Sequence, residues 1–169
     1  RVFRKHSDIP IVLFTYLNPV LRYGLTSFLA DAEAAGASGL LITDLPSGSD
    51  PELESEVITS PLDLIRLVAP TTPLNRVPGV ASGGSGFLYY ISRTGVTGTR
   101  SKLRDELEGE VTSIKSAVGM PVAVGFGIST GEQAAAAGAV ADGVVVGSAL
   151  IQTLERGGVA EASKFLTSL

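Results

Sequence analysis

The chain has 169 residues, 44% hydrophobic and 18% charged, enough apolar material for one folded domain over residues 1–169 and a composition unlike that of a disordered chain. Thirteen lysines and arginines against seventeen aspartates and glutamates give a formal charge of −4, and the basic residues are scattered, which argues against a nucleic-acid partner. With no cysteine and a single histidine, His6, disulfides, a structural zinc site and a thiolate nucleophile are excluded, and no apolar run approaches the ~18 residues that a membrane span needs.

The opening ten residues are basic but lack the apolar core of a signal peptide, so the expected setting is the cytoplasm, or a plastid in a eukaryote. The first residue is Arg1 rather than Met, inside what reads as the end of a helix, which points to a partial chain.

Six short apolar runs follow in chain order, at 9–17, 40–45, 62–69, 87–91, 122–126 and 144–146. They are nearly continuous rather than alternating, the pattern of strands covered on both faces in a parallel sheet. After the first, Leu25, Phe28, Leu29 and Ala32 fall at helical spacing and Gly36 stands where the helix would end. Residues 51–61 carry Glu52, Glu54 and Glu56 with few apolar anchors, and 73–86 hold Pro78, Gly79, Gly83 and Gly84, so both helices are expected to be short or frayed.

Further along, Leu103, Leu107, Val111, Ile114 and Val118 form a stripe that Gly119 and Pro121 stop. Ser129 or Thr130 can cap a short alanine-rich helix over 131–137, a helix over 149–154 follows Gly147 and Ser148, and Val159, Ala162, Phe165, Leu166 and Leu169 mark a last amphipathic helix. Strand and helix thus alternate at a parallel α/β rhythm, which fits a doubly wound sheet or a (β/α)8 barrel, and the strand ends favour the barrel.

Both architectures bind ligands at the carboxyl ends of their strands. Gly127 after one strand, and Gly147 with Ser148 after the next, suit an anion such as phosphate, because glycines let the backbone approach and a helix N-terminus offers unpaired N–H groups; the same glycines also suit tight turns. The run Ser92-Arg93-Thr94-Gly95-Val96-Thr97-Gly98 reads as a lid or as a solvated loop. If Tyr89 faces the ligand, Tyr90 faces the outer helices. Asp44, at a strand end, could act as acid, base or orienter, or cap a turn, and His6 lies at the opposite rim, where a surface role is expected. No metal-ligand spacing appears, and Lys5, Lys102, Lys115 and Lys164 all lie outside the predicted strands, which disfavours a Schiff-base aldolase.

The stretch from Pro10 through Tyr16 to Asn18-Pro19, the tripeptide Asp44-Leu45-Pro46, Leu67-Val68-Ala69-Pro70-Thr71-Thr72-Pro73, the Ser-Arg-Thr-Gly-Val-Thr-Gly run, the stretch from Pro121 through Gly125-Phe126-Gly127 to Ile128-Ser129 and Gly147-Ser148-Ala149 together resemble the tryptophan synthase alpha chain, in order along essentially the whole chain. The resemblance implies a TIM (β/α)8 barrel of which this chain carries strands three to eight, about six parallel strands, without the first two βα units. It also implies a lyase of tryptophan biosynthesis that cleaves indole-3-glycerol phosphate to indole and glyceraldehyde 3-phosphate without a cofactor or metal, with a tryptophan synthase beta chain as partner in an alpha2beta2 assembly.

Carried over by motif, Gly98, Phe126, Gly127, Gly147 and Ser148 would hold the phosphate, and Tyr89, Thr97, Phe14, Leu41, Leu67 and Val145 would line the indole and glycerol pocket. Thr97 would also orient the catalytic carboxylate, and Asn18 and Pro46 would lie near the beta chain. The family's catalytic glutamate and aspartate match no motif here, so the catalytic residues stay unassigned and weak turnover by these 169 residues is expected. The alternatives are a non-catalytic partner of a beta chain and another phosphate-binding barrel enzyme.

Overall fold

A computed structural model describes residues 1–92, 100–125 and 127–169, with 100–106 described by backbone alone. Seven strands and seven α-helices are assigned among them, besides two short 3-10 helices at Phe3–Lys5 and Leu74–Arg76: β1 (Val12–Thr15), α1 (Leu17–Tyr23), α2 (Leu25–Ala34), β2 (Gly39–Ile42), α3 (Pro51–Thr59), β3 (Asp63–Leu64), β4 (Arg66–Val68), α4 (Val77–Ala81), β5 (Leu88–Ile91), α5 (Arg100–Val118), β6 (Val122–Gly125), α6 (Gly131–Gly138), β7 (Gly143–Val145) and α7 (Ser148–Thr167). The strands form two sheets, of order β1-β2-β3 and β4-β5-β6-β7. The chain divides into two compact units, Arg1–Leu67 with Pro78–Leu88, and Val68–Val77 with Tyr89–Leu169.

In the first unit, β1, β2 and β3 pair in parallel, Leu13 opposite Leu40 and Leu40 opposite Leu64. Parallel partners share a face, and this one meets Leu29 and Ala32 of α2 and Leu53 and Val57 of α3 in the apolar core. The end of α2 is fixed from a distance: Gly36 sits at φ +88°, and Arg4 donates from Nε and Nη2 to its carbonyl at 2.7 and 2.6 Å and from Nη1 to the Ile9 carbonyl at 2.7 Å. A cation on the exposed carbonyls of a helix end satisfies acceptors that the helix itself cannot.

Two expectations are corrected here. The stretch at 51–61 is a nine-residue helix, because Asp50 accepts the Leu53 N–H at 3.1 Å, Pro51 starts the first turn, and Leu53 and Val57 are buried. The run at 62–69 is two strands, since β3 pairs with β2 whereas β4 lies beside β5. The weak helix at 73–86 is short as expected, with five residues in α4.

Glu54 and Arg66 form a buried ion pair, 2.5 Å from Oε2 to Nη2, with side chains 8% and 4% exposed. Glu54 also accepts the Gly48 N–H, and Arg66 Nε donates to the Ser82 carbonyl at 3.3 Å. Gly84 makes room for that arginine, since a Cβ there would stand 2.7 Å from Arg66 Cγ.

In the second unit β6 pairs in parallel with β7, Gly125 opposite Val145. The stripe on α5 buries Leu107, Val111 and Ile114, and Gly119 leaves the helix at φ +66°. Thr130 caps α6. The two helices expected at 149–154 and 159–169 are both present, as the segments of α7 on either side of a break at Gly158, whose φ of 69° and ψ of −168° are not helical. Among the described residues, no helix is long and apolar enough to cross a membrane.

Candidate functional site

The alternation of a strand separates adjacent tyrosines. Tyr90 is 2% exposed and its hydroxyl donates to Glu110 Oε2 of α5 at 2.6 Å, so it faces the helix and Tyr89 faces the other way, as the sequence leads one to expect. The Tyr89 ring lies on the backbone of Gly125, where a Cβ would stand 2.8 Å from ring carbons. Gly125 therefore serves the tyrosine as well as the turn after it. On β7, Val144 faces α6, 3.6 Å from the Cβ position of Gly138, which turns Val145 toward the face of Gly125 and Tyr89. Burial pushes the Tyr89 phenol up, so it stays protonated at neutral pH.

Beyond these strand ends, Gly127 is exposed at φ +70°, a left-handed conformation that favours glycine. The N-termini of α6 and α7 differ. At α6, Thr130 accepts the Gln133 N–H at 3.3 Å, and Gln133 Oε1 accepts the Ser129 N–H at 2.8 Å and its hydroxyl at 3.1 Å. At α7 the cap is Gly147, no side chain caps the helix, and Ser148 is exposed in its first turn. Unpaired N–H groups and the helix dipole make this second end the one suited to an anion. Phe126, Thr97 and Gly98 lie outside the described residues.

In the first unit, Phe14 pairs with Leu41 on the face of β1 and β2 opposite the helical core. Leu41 is 3% exposed and Phe14 65% exposed. Arg66 points to α3 through Glu54, so Leu67, partly buried, points to the other side of its strand. Asp44 is occupied structurally: its Oδ1 accepts the Leu17 N–H at 2.6 Å at the start of α1. That bond ties the start of α1, which bears Asn18, to the loop after β2, which bears Pro46; both residues are exposed, and His6 is exposed ahead of β1.

Of the candidates, the structure brings Tyr89 and Val145 to one surface around Gly125, and pairs Phe14 with Leu41 in the other unit. The buried Glu54–Arg66 pair was missed by the sequence reading, and the only signal for it is an arginine inside an apolar strand run.

Parallel strands joined by helices, with open glycine turns at their carboxyl ends, define a protein of the (β/α)8-barrel class. The family model of the tryptophan synthase alpha chain matches residues 1–167. The tryptophan synthase alpha chain of Gluconacetobacter diazotrophicus is 54% identical over 149 residues, covering 88% of this chain and 54% of that protein. The tryptophan synthase subunit alpha of Campylobacter jejuni superposes with a TM-score of 0.89 at 30% identity, over 99% of this chain and 67% of that one. A structure described for the Pyrococcus furiosus tryptophan synthase a2b2 complex gives a TM-score of 0.82 at 35% identity, over 99% and 68% of the two chains. The chain belongs to the tryptophan synthase alpha chain family, and it spans a little over half the length of the curated relatives that it matches.

Proposed function

We propose that this chain serves the aldol cleavage of indole-3-glycerol phosphate to indole and glyceraldehyde 3-phosphate, in tryptophan biosynthesis in the cytoplasm. The observation that carries the reading is the helix N-terminus at Gly147 and Ser148, left without a side-chain cap next to the β6–β7 strand ends. Gly127, Gly147 and Ser148, with Gly98 and Phe126, hold the phosphate, whose charge is favoured by the α7 dipole. Tyr89 and Val145 give the organic part an apolar surface with one phenol donor; by their place in the family's motifs, Thr97, Phe14, Leu41 and Leu67 are proposed as substrate residues as well.

The family's acid–base carboxylates match no motif here, and each such group contributes a factor of about 10²–10⁴, so these residues bind substrate better than they turn it over. A tryptophan synthase beta chain in an alpha2beta2 assembly is the partner, met by Asn18 at the start of α1 and by the exposed loop of Pro46. Its support is the a2b2 complex named for the Pyrococcus furiosus relative.

Calorimetric titration with glyceraldehyde 3-phosphate tests the reading. Saturable binding is expected, and Ser148→Glu should weaken it at least about tenfold by placing a carboxylate against the anion. A wild-type chain that binds neither this product nor indole-3-glycerol phosphate would overturn the proposal. Indole release, measured with and without a beta chain, then separates binding from turnover.

A further inference from the structure

On the helix-facing side of Val68 and Tyr90, the second unit holds a cleft of about 480 Å³. Its floor is Val68, Val77 and Tyr90, each no more than 2% exposed, and its wall is α5 at Gly109, Glu110 and Ile114. Tyr90 and Tyr89 point to opposite faces of β5, so the cleft lies on the far side of the strand from the surface around Gly125 and takes no part in the function proposed above.

Two features give the cleft a chemistry. Among the described residues lining it, Glu110 is the one that carries a charge. The Tyr90 hydroxyl holds one carboxylate oxygen, at 2.6 Å, and the second oxygen remains as an acceptor for a ligand. Gly109 is a helix-interior glycine with no positive φ, and among the described residues nothing outside its own helical turn lies within 4 Å of where its Cβ would be. Neither backbone strain nor close packing calls for glycine there, and glycine is among the poorest helix formers; its effect is to leave the mouth of the cleft open.

We propose that this cleft binds a small primary amine with an apolar body, its ammonium paired with Glu110 and its hydrocarbon on Val68, Val77 and Ile114. The volume falls in the range of small-molecule sites, about 300–1,000 Å³. The sign of the charge selects the ligand: an ammonium gains an ion pair and a hydrogen bond at Glu110, whereas a carboxylate of the same shape meets a like charge.

The test is an NMR titration of the whole chain with 2-phenylethylamine, 2-phenylethanol and 3-phenylpropionate, which share a ring and differ in charge. The amine should shift the amides around Val77, Gly109 and Ile114 saturably, with a Kd of order 1 mM for so small a ligand. It should bind at least about tenfold more tightly than the carboxylate, with the alcohol between them. Glu110→Gln keeps an acceptor for Tyr90 and should bring amine and alcohol to within about twofold of each other. Gly109→Leu should remove binding of all three without lowering Tm, because leucine is the better helix former. Shifts that do not saturate, shifts scattered over the surface, or an amine preference that survives Glu110→Gln would overturn the proposal.

Discussion

Removing the Glu54 carboxylate should be among the most damaging single changes in the first unit. In the native chain Glu54 accepts from Arg66 and from the Gly48 N–H, and Arg66 Nη1 already lacks a hydrogen-bond partner. Glu54→Ala leaves the guanidinium with only the 3.3 Å bond from Nε to the Ser82 carbonyl, and leaves the Gly48 N–H without its acceptor. Breaking a buried pair from one side costs about 3–5 kcal/mol, a large share of the ~5–15 kcal/mol that holds a typical domain together. Replacing both charges, Glu54→Leu with Arg66→Met, removes the unpaired ion and should leave the chain more stable than Glu54→Ala alone.

Urea denaturation at neutral pH measures all three variants. A loss below about 1 kcal/mol for Glu54→Ala, or a double variant no more stable than that single one, would refute the account of a desolvated pair. The pair also has a pH signature. Burial pushes the Glu54 carboxyl up, but the Arg66 guanidinium and the Gly48 N–H outweigh it and hold the group below its ordinary value. A carboxyl lowered by folding stabilises the fold above its unfolded pKa of about 4.3, and that contribution is lost as the pH falls through the lower folded value. Glu54→Gln should therefore flatten the acid limb of the stability curve.

Three further changes test the rest of the structure. Gly125→Ala should destabilise the second unit by about 1–3 kcal/mol through collision with the Tyr89 ring, and Tyr89→Ala should recover most of that loss; equal melting of Gly125→Ala and wild type would count against the packing. Arg4→Ala should cost about 1–3 kcal/mol by stripping the Gly36 and Ile9 carbonyls of their donor, read as a lower urea midpoint. Gly127→Ala should weaken glyceraldehyde 3-phosphate in calorimetry by straining a left-handed residue, and unchanged affinity would remove that turn from the phosphate site.

Much of this was legible before any coordinates. The stripes of α2 and α5 and their terminal glycines Gly36 and Gly119 follow from local spacing, and so does the division of labour between Tyr89 and Tyr90. What escaped was determined by residues distant in sequence. Arg66 sits in an apolar run and gains its meaning only from Glu54 on a helix 12 positions away. Asp44 reads equally as an acid or a cap until the Leu17 N–H, 27 positions away, is seen to claim it. The division of 62–69 into two strands depends on which neighbour each half pairs with, which periodicity does not encode. Of the run expected to act as a lid, 92–98, all but Ser92 falls outside the described residues.

The break at Gly158 limits how far α7 can act as a unit. Peptide dipoles add only while they stay aligned, so the charge felt at Ser148 is that of the segment before the break, and the turns after it contribute nothing further. A helix of some ten residues already supplies most of the field that a longer one would, since the effect comes from the terminal turn. The last segment is thereby freed from the demands of ligand chemistry: what its sequence must keep is packing, at Ala162 and where the Ser168 backbone closes on Gly131.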